Sequence, residues 1–581
     1  MKSPLRLSLC LAVLPVLAVA CSSDGSAGGT PGTGGASSGG AFGSGGASSG
    51  GASSGGASGS GGASGSGGAS GGGGASGDAA SDAVSDVVTD ACGDGGCVIT
   101  CANVGDQPTH LGCEFWAADL DQQDGGGSDP ASAPWGLLLA NPGTSDASVT
   151  VEINTAVVGQ AVTTSVVAQV TVPKGMTHEL QLPTRELDCG TKPNDYASPG
   201  TCLSSRAFRV TSSAPISAQQ HNALAPVHSN DASLLLPSHA LGKTHRVLGW
   251  GAGHAIPISV PGLGTIVDRA YITVIGTQPG TQVKVSPTWR IKGNAPIAAT
   301  AAGGQISVTL GTFDVLNLET DDAKSSDPAA NLADLSGTLV EADKPVAVFT
   351  GVESAGVPGP VTVPTPPGWD STKTCCLDHL EEQVVPLEAL GTSYVVSHSP
   401  LRSVGGFQEA DVLRFVGGAQ AANVKTNLPA PFDAFSLQPG EVKSAPTQNH
   451  AVVTSDKPIV VGQLLVGKEY VAGTPFGDPS LVIFPAVSQH LTDTLLATPA
   501  GWTQSWLVIV AQVGASVTLD GAQPSGCTTQ PAGNVGTTAY EARTCAVNAG
   551  AHRLQGSKPF GVTAYGYSAS ASYAVVGGAG Y

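Results

Sequence analysis

One short pattern occurs four times along this chain of 581 residues. A proline, preceded by lysine in three copies, opens an apolar run at Ala214–Ala218, Lys344–Val348, Lys457–Val461 and Lys558–Val562. After three of the copies, an aspartate is followed by an apolar run and a proline, at Asp231–Pro237, Asp378–Pro386 and Asp478–Pro485. Repetition in a fixed order indicates one supersecondary design that is used four times.

The residues between these patterns favour strands and turns. Short runs rich in Val, Thr, Ile and Leu alternate with Gly, Pro, Asp and Asn. A pair of such runs belongs to each unit, at Leu137–Val151, Ile272–Val285, Val412–Val424 and Leu507–Leu519. The best helical window is Asp378–Leu390, and 80 Gly with 12% charged residues do not fit a long helical protein. We therefore predict an all-β fold of four units, from about Gly112–Trp116 to Ser572–Val576.

Two architectures fit four such units. The first is a closed, propeller-like ring, and the second is a row of tandem β-sandwiches. We favour the ring because closure would protect the terminal strand edges, which otherwise invite aggregation.

The N-terminus resembles a bacterial lipoprotein signal at residues 1–20. Lys2 and Arg6 precede an apolar run that ends just before Cys21, the predicted lipidated residue. Ser22 in the next position favours the outer membrane by analogy. An ordinary secretory signal is the alternative. No other apolar run is long enough to span a membrane, so the lipid is the only expected membrane attachment.

Three further segments follow the signal. Residues 21–77 are almost wholly Gly, Ala and Ser, which predicts a flexible tether with a reach of roughly 40 Å. Residues 78–109 form a Cys-containing spacer with acids at Asp78, Asp82, Asp86, Asp90 and Asp94. Like charges four residues apart oppose a helix, so we expect a solvated spacer rather than a cation-binding helix face. The all-β domain occupies residues 110–581.

The cysteines indicate disulfides, as is usual in exported proteins. Two pairs flank local loops and are the predicted bridges: Cys189 with Cys202, and Cys527 with Cys545. The pairing of the other six stays open: Cys92, Cys97, Cys101, Cys113, Cys375 and Cys376. A zinc site at the first four of these is the competing reading, although their spacing lacks paired CxxC knuckles.

The densest set of chemically active side chains is Asp378, His379, Glu381 and Glu382. Such groups can ligate metals or relay protons. Asp378 matches Asp231 and Asp478 in the repeat, which predicts a recurring turn cap. The other three residues occur only in the unit that the repeat makes the third. A functional site at these residues is therefore the alternative interpretation.

Other possible ligand sets are weaker, and we expect no metal and no cofactor. Five histidines lie close in sequence without tight ligand spacing, at His221, His228, His239, His245 and His254. Four acids resemble a calcium loop but miss its spacing, at Asp119, Asp121, Asp124 and Asp129. Outside the Gly-rich linker, the sequence has no Gly-x-Ser-x-Gly nucleophile motif between a strand and a helix pattern. It also has no Walker loop, and no dinucleotide-binding motif between a strand and a helix. A net charge of −19 opposes nucleic-acid binding.

Several ordered motifs resemble the N-terminal domain of the IgGFc-binding protein family over residues 110–578. They are Gly112–Leu120, Ser229–Pro237, Ala342–Phe349, Asp378–Gln383 and Gly477–Ser480. The resemblance implies an extracellular binding domain, and it carries over no catalytic residues.

We therefore expect a non-enzymatic, surface-displayed outer-membrane lipoprotein. Its partner would be a protein or glycan at the cell surface, contacted by loops on one rim of the β body. Two alternatives remain at this stage: an envelope hydrolase acting on glycans or peptides, and a purely structural envelope component.

Overall fold

The computed structural model describes residues 99–123, 130–187, 200–226, 229–252, 268–321, 333–370, 377–473 and 476–581, with the backbone of 258–260 and 264–266. Every described residue belongs to one compact unit of the chain. The predicted signal, Cys21, the tether and most of the acidic spacer lie outside the described residues. Within the described part, no helix has the length and apolar character that crossing a membrane requires.

The first unit is a sandwich of two sheets that share one long strand. Its strands are β1 (Gly112–Ala117), β2 (Gly136–Ala140), β3 (Ala147–Asn154), β4 (Thr164–Val172), β5 (Thr177–Gln181), β6 (Cys202–Ser204), β7 (Phe208–Asn222) and β8 (Asp231–Leu234). The first half of β7 pairs with β1 and β3, whereas its second half pairs with β2 and β8. Strand β6 leaves this unit and pairs with the second.

The second unit has two separate sheets. Its strands are β9 (Thr244–Arg246), β10 (Ile258–Val260), β11 (Gly264–Ile266), β12 (Ala270–Gly276), β13 (Thr281–Ser286), β14 (Ile306–Leu310), β15 (Val315–Glu319), β16 (Leu339–Ala342), β17 (Val346–Ala355) and β18 (Asp378–Gln383). One sheet has the order β18-β17-β12-β15-β6 and the other β14-β13-β16-β9, while β10 and β11 form a hairpin.

The third unit repeats this design with sheets β19-β24-β21-β22 and β23-β20-β25-β26. Its strands are β19 (Ser393–Val396), β20 (Asp411–Gly417), β21 (Ala422–Thr426), β22 (Ala434–Leu437), β23 (Val442–Thr447), β24 (Ala451–Ser455), β25 (Ile459–Leu465) and β26 (Leu481–Ile483).

The fourth unit again uses one long strand, β32, in both of its layers. Its strands are β27 (Leu491–Thr498), β28 (Gln504–Gln512), β29 (Val517–Leu519), β30 (Thr528–Val535), β31 (Thr538–Val547), β32 (Gly550–Ser568) and β33 (Ala571–Val576). The described helices are all short 3₁₀ turns, at Val104–Asp106, Pro130–Ser132, Ser238–Ala240, Leu387–Ala389, Lys468–Tyr470 and Val487–Gln489.

The all-β prediction is confirmed, and the repeated sequence patterns fall on equivalent strands. The proline patterns enter β7, β17, β25 and β32, and the aspartate patterns form or precede β8, β18 and β26. Asp378–Leu390, the best helical window in the sequence, forms strand β18 and a 3₁₀ turn, in agreement with the all-β prediction. Strand β18 also pairs with β17 of the second unit, so the cluster on it does not belong to a third unit.

The units are arranged cyclically. The second and third units each have two separate main sheets, whereas in the first and fourth units one long strand joins both layers into a single sheet. The last strands of the four units lie side by side, since β8 contacts β18 and β33, and β26 contacts the same two strands. The first and fourth units therefore meet, and the four units form a ring around these last strands.

The apolar core crosses the boundaries between units. Val247 of the second unit and Leu464 of the third share one buried cluster. Leu137 of the first unit and Phe349 of the second share another. Because the cores are continuous, we expect the four units to unfold together rather than one by one.

A repeated glycine sets how closely consecutive units approach. A Cβ at Gly242 would lie far inside van der Waals contact with Pro386 Cβ, and a Cβ at Gly391 would overlap Ala486 Cβ in the same way. Each glycine precedes the first strand of its unit and faces the end of the next aspartate pattern. The close approach therefore requires a residue without a side chain.

Replacing Gly242 with alanine is expected to lower the free energy of unfolding by about 1–3 kcal/mol, because the added methyl overpacks this junction. Urea unfolding of the purified chain measures the change. Gly356→Ala is the matched control, since its nearest obstacle is a flexible Leu377 methyl at 3.2 Å. Equal stability of the two variants would contradict the packing argument.

Candidate functional site

The sequence-predicted cluster lies at the centre of the ring. Asp378, His379, Glu381 and Glu382 all lie on β18, and none is more than 3% exposed. Strand β18 is buried along its whole length. Strand β17 pairs with it within the sheet, and β8 and β26 pack beside it. A polymer substrate has no access to these side chains in this conformation.

Two of the three aspartates of the repeat, Asp231 and Asp378, join neighbouring units to one another, whereas both carboxylate oxygens of Asp478 lack a hydrogen-bond partner within the described part of the chain. Asp378 Oδ1 accepts hydrogen bonds from Ser229 Oγ (2.7 Å) and from the backbone N–H of Asn230 (2.8 Å). Asp231 accepts from Ser480 Oγ and the Leu481 N–H, both at 2.8 Å. The predicted turn cap describes only the local part of this bonding, because the strongest partners come from other units.

The two glutamates of the cluster also bond across the ring. Glu381 accepts from Gln220 Nε2 (3.2 Å), and Glu382 accepts from the Ile483 N–H (3.1 Å). His379 instead stays within its own unit, where its Nε2 lies 3.5 Å from the Tyr271 hydroxyl. The glutamates therefore connect β18 to the first and third units.

Burial suppresses charge at the centre. It lowers the pKa of His379 to about 3, so its imidazole is neutral near pH 7. It raises the pKa of Glu381 and of Glu382 well above the usual carboxyl range, and the nearby Asp231 adds to the effect. Shifted pKa values also occur at catalytic sites, but here they accompany complete burial and hydrogen bonds between units.

The cysteine predictions have several outcomes. The bridge between Cys527 and Cys545 is present, with an S–S distance of 2.07 Å. Cys202 is disulfide-bonded, whereas its predicted partner Cys189 lies outside the described residues. The structure also joins Cys101 to Cys113, so these two sulfurs are not available to the zinc site considered from the sequence. The other four open cysteines lie outside the described residues: Cys92, Cys97, Cys375 and Cys376.

The histidine and calcium-loop patterns fall only partly within the described residues, and His228 and His254 lie outside them. Within the described residues, no cluster of possible metal ligands includes a histidine. Asp119 accepts a hydrogen bond from the Arg185 N–H at 2.7 Å. Asp124 and Asp129 lie outside the described residues. Asp121 instead joins two glutamates from the second unit.

Sequence reasoning missed four apolar side chains that reach the surface on three loops. We call them the aromatic rim: Trp369, Leu401, Val404 and the half-buried Tyr470. Leu401 is 47% exposed, Val404 52% and Trp369 36%. The Trp369 and Tyr470 rings lie 5.6 Å apart between centroids. Trp and Tyr with exposed aliphatic neighbours are typical of surfaces that bind partners.

Three loops of two units build the aromatic rim. Trp369 lies after β17, Leu401 and Val404 lie between β19 and β20, and Tyr470 lies between β25 and β26. The Val404 N–H donates to the Ala472 carbonyl at 2.9 Å, which joins two of these loops.

Buried groups hold these loops from below. Arg402 Nη2 donates to the Val466 carbonyl at 2.8 Å, its guanidinium lies 3.6 Å from Glu409, and it stacks on the Tyr567 ring. Lys468 Nζ donates to Ser570 Oγ at 2.7 Å, which connects the rim to the fourth unit. These contacts hold the loops of the rim in place.

One weak sequence signal could have identified part of this rim. Trp369 follows Pro366-Pro367-Gly368, and a large aromatic residue in a Pro/Gly-rich loop is unusual for purely structural turns. Leu401 and Val404 carried no such signal, because isolated apolar residues in loops are common.

Comparison with known proteins gives one family. The family model described as IgGFc binding protein matches residues 231–566, which is more than half of the chain. The match begins at β8 and ends within β32, so all four residues of the aromatic rim lie inside it. Strands β1–β7 precede it. No curated protein matches the chain.

Proposed function

This chain belongs to the IgGFc binding protein family, and from that membership we propose that its ring of β units is an extracellular, non-catalytic binding domain. A lipid on Cys21 would hold the domain at the surface of the outer membrane, and residues 21–77 would act as its tether. The partner would be a protein or glycan at the cell surface.

The aromatic rim is the observation that carries this proposal. It combines an exposed Trp, a neighbouring Tyr and two exposed aliphatic side chains on loops with buried supports. Rigid aromatic side chains provide large contact areas at a low cost in conformational entropy. We therefore assign ligand contact to this rim, with multi-point contact by the loops around it.

The hydrolase alternative depended on the Asp378 to Glu382 cluster. Because that cluster is buried and hydrogen-bonded across units, no specific observation favours catalysis. The structural-component alternative would leave the rim without a ligand, and the following experiment distinguishes it.

Replacing Trp369 with alanine is expected to weaken ligand binding about 10-fold or more, because aromatic anchors dominate binding surfaces. The probes are the Fc fragment of IgG, which the family name suggests, and a broad glycan array. Binding is measured with the purified chain and confirmed by calorimetry for each probe that is retained.

Val166→Ala is the matched control, since Val166 is an exposed apolar residue on β4 of the first unit. Both variants should keep the unfolding temperature of the parent chain. If Trp369→Ala and Val166→Ala bind equally well, the rim is not the contact surface. If the parent chain retains no probe, the structural-component alternative gains support.

A further inference from the structure

Three buried carboxylates meet between the first and second units. Asp121 follows β1, Glu319 ends β15 and Glu353 lies in β17. One oxygen from each lies within 4.8 Å of the others. All three residues are buried. Strands β15 and β17 flank β12 in one sheet, which places the two glutamates on either side of β12.

The separation fits a calcium ion. Two oxygen ligands at about 2.4 Å from one ion can be at most about 4.8 Å apart. Carboxylate oxygens are hard ligands, which suit Ca²⁺, Mg²⁺ or Mn²⁺ rather than metals that prefer nitrogen or sulfur. The separation of the oxygens and their chemical type are therefore both suited to a Ca²⁺ ion.

The local charge is not balanced by protein groups. Arg269 Nη1 lies 3.7 Å from Glu319 Oε2, and it is the cation paired with the cluster. Three ionised carboxylates and one guanidinium leave two negative charges, which one divalent cation would neutralise. Burial, followed by the charge of Glu319, raises the pKa of Asp121 and of Glu353 well above the usual range. Asp121 and Glu353 are therefore not easily ionised beside Glu319 without a further cation.

One oxygen of the cluster lacks a hydrogen bond. Glu319 Oε2 is buried and has no hydrogen-bond partner among the described residues. By contrast, Asp121 Oδ2 accepts from Asn317 Nδ2 at 3.0 Å, and Glu353 Oε2 accepts from the Arg269 N–H at 3.1 Å. Arg269 Nη1, at 3.7 Å, pairs with this oxygen by charge but lies beyond hydrogen-bonding distance, so an ion bound there would supply the missing close contact.

The backbone at Gly200 covers the same place. A Cβ at this position would collide with Glu319 Oε1 and with Asp121 Oδ2. The Gly200 carbonyl accepts a hydrogen bond from Asn317 Nδ2 at 3.1 Å, which holds the backbone over the carboxylates. Only a glycine leaves the space beside the Asp121 and Glu319 carboxylates free.

We propose that Asp121, Glu319 and Glu353 bind one Ca²⁺ ion that clamps the first unit to the second. The loop after β1 supplies one ligand, and two strands of the neighbouring unit supply the others. The inference is independent of the binding function proposed above.

Calorimetric titration of the full chain tests the proposal after the chain has been stripped with EDTA. CaCl₂ should bind at one tight site and raise the unfolding temperature. Glu319→Gln should weaken calcium binding by about 100-fold or more, because loss of a direct ligand should exceed the 10–100-fold effect of outer-shell changes. Glu179→Gln, which removes an exposed carboxylate on β5, should bind calcium as the parent chain does.

The variant also has a distinctive behaviour without metal. In EDTA, Glu319→Gln should be at least as stable as the parent chain, because one repelling charge is gone. In calcium it should be the less stable of the two. If Glu319→Gln does not fold, Asp121→Asn provides the same comparison.

Three results would overturn the proposal. The first is a parent chain whose unfolding temperature is the same in EDTA and in millimolar calcium. The second is equal calcium affinity of Glu319→Gln and Glu179→Gln. The third is binding of Mg²⁺ as tight as that of Ca²⁺, which would contradict the identity of the ion.

Discussion

Replacing Asp231 with alanine is expected to lower the free energy of unfolding by about 4 kcal/mol or more, which places it among the largest single-residue effects in proteins. The Asp231 carboxylate accepts four hydrogen bonds, from Ser480 Oγ and from the N–H groups of Ala232, Glu381 and Leu481. Each buried donor left without an acceptor costs about 1–3 kcal/mol. Because the partners belong to three strands from three units, the loss should loosen the whole ring.

Two variants sharpen this test. Asp231→Asn keeps the volume but presents an amide N–H₂ to groups that also donate, so its cost should fall between those of the parent and Asp231→Ala. Asp433→Ala removes an exposed carboxylate in the third unit and should change stability by less than about 0.5 kcal/mol. Urea unfolding followed by tryptophan fluorescence measures all three. A loss of under 1 kcal/mol for Asp231→Ala would show that the ring centre does not depend on this carboxylate.

Replacing Cys21 with alanine is expected to release the protein from membranes completely. Acyl chains contribute about 0.8 kcal/mol per buried CH₂ group, and dual acylation is enough for stable anchoring. Without the acceptor thiol no acyl chain is attached, and we predict no other membrane attachment. Fractionation of expressing cells, with radioactive palmitate labelling, measures the change.

Cys10→Ala is the matched control, because Cys10 lies inside the predicted signal and is removed with it. That variant should stay in the membrane fraction and should be labelled. Retention of Cys21→Ala in membranes would contradict the lipoprotein prediction and favour an ordinary secretory signal with another mode of attachment.

Much of the fold followed from local sequence patterns. Alternation of Val, Thr and Ile with Gly, Pro and Asp predicted strands and turns, and the repeated proline and aspartate patterns predicted equivalent strands in four units. The window at Asp378–Leu390 was the best helical candidate, but its apolar spacing is short and ambiguous between helix and strand. Burial of β18 between two neighbouring strands decided the outcome in favour of the strand.

The sites were less predictable than the strands. The Asp378 cluster was visible because its residues are adjacent in sequence, but its burial was not visible. The carboxylates of Asp121, Glu319 and Glu353 are far apart in sequence and form no motif. The aromatic rim likewise combines loops from two units. Of its residues, only Trp369 has a local signal, because it follows Pro366-Pro367-Gly368.

The amino-acid sequence by itself determined the all-β class, the four related units and the repeated aspartate, because these depend on residues that are neighbours along the chain. Only the tertiary structure decided that the last strands meet at one centre and that the carboxylates of Asp231 and Asp378 bond to other units. The physical reason is that these contacts arise from closure of the ring. Closure places the same short pattern from different units side by side, whatever the distance between the copies in sequence.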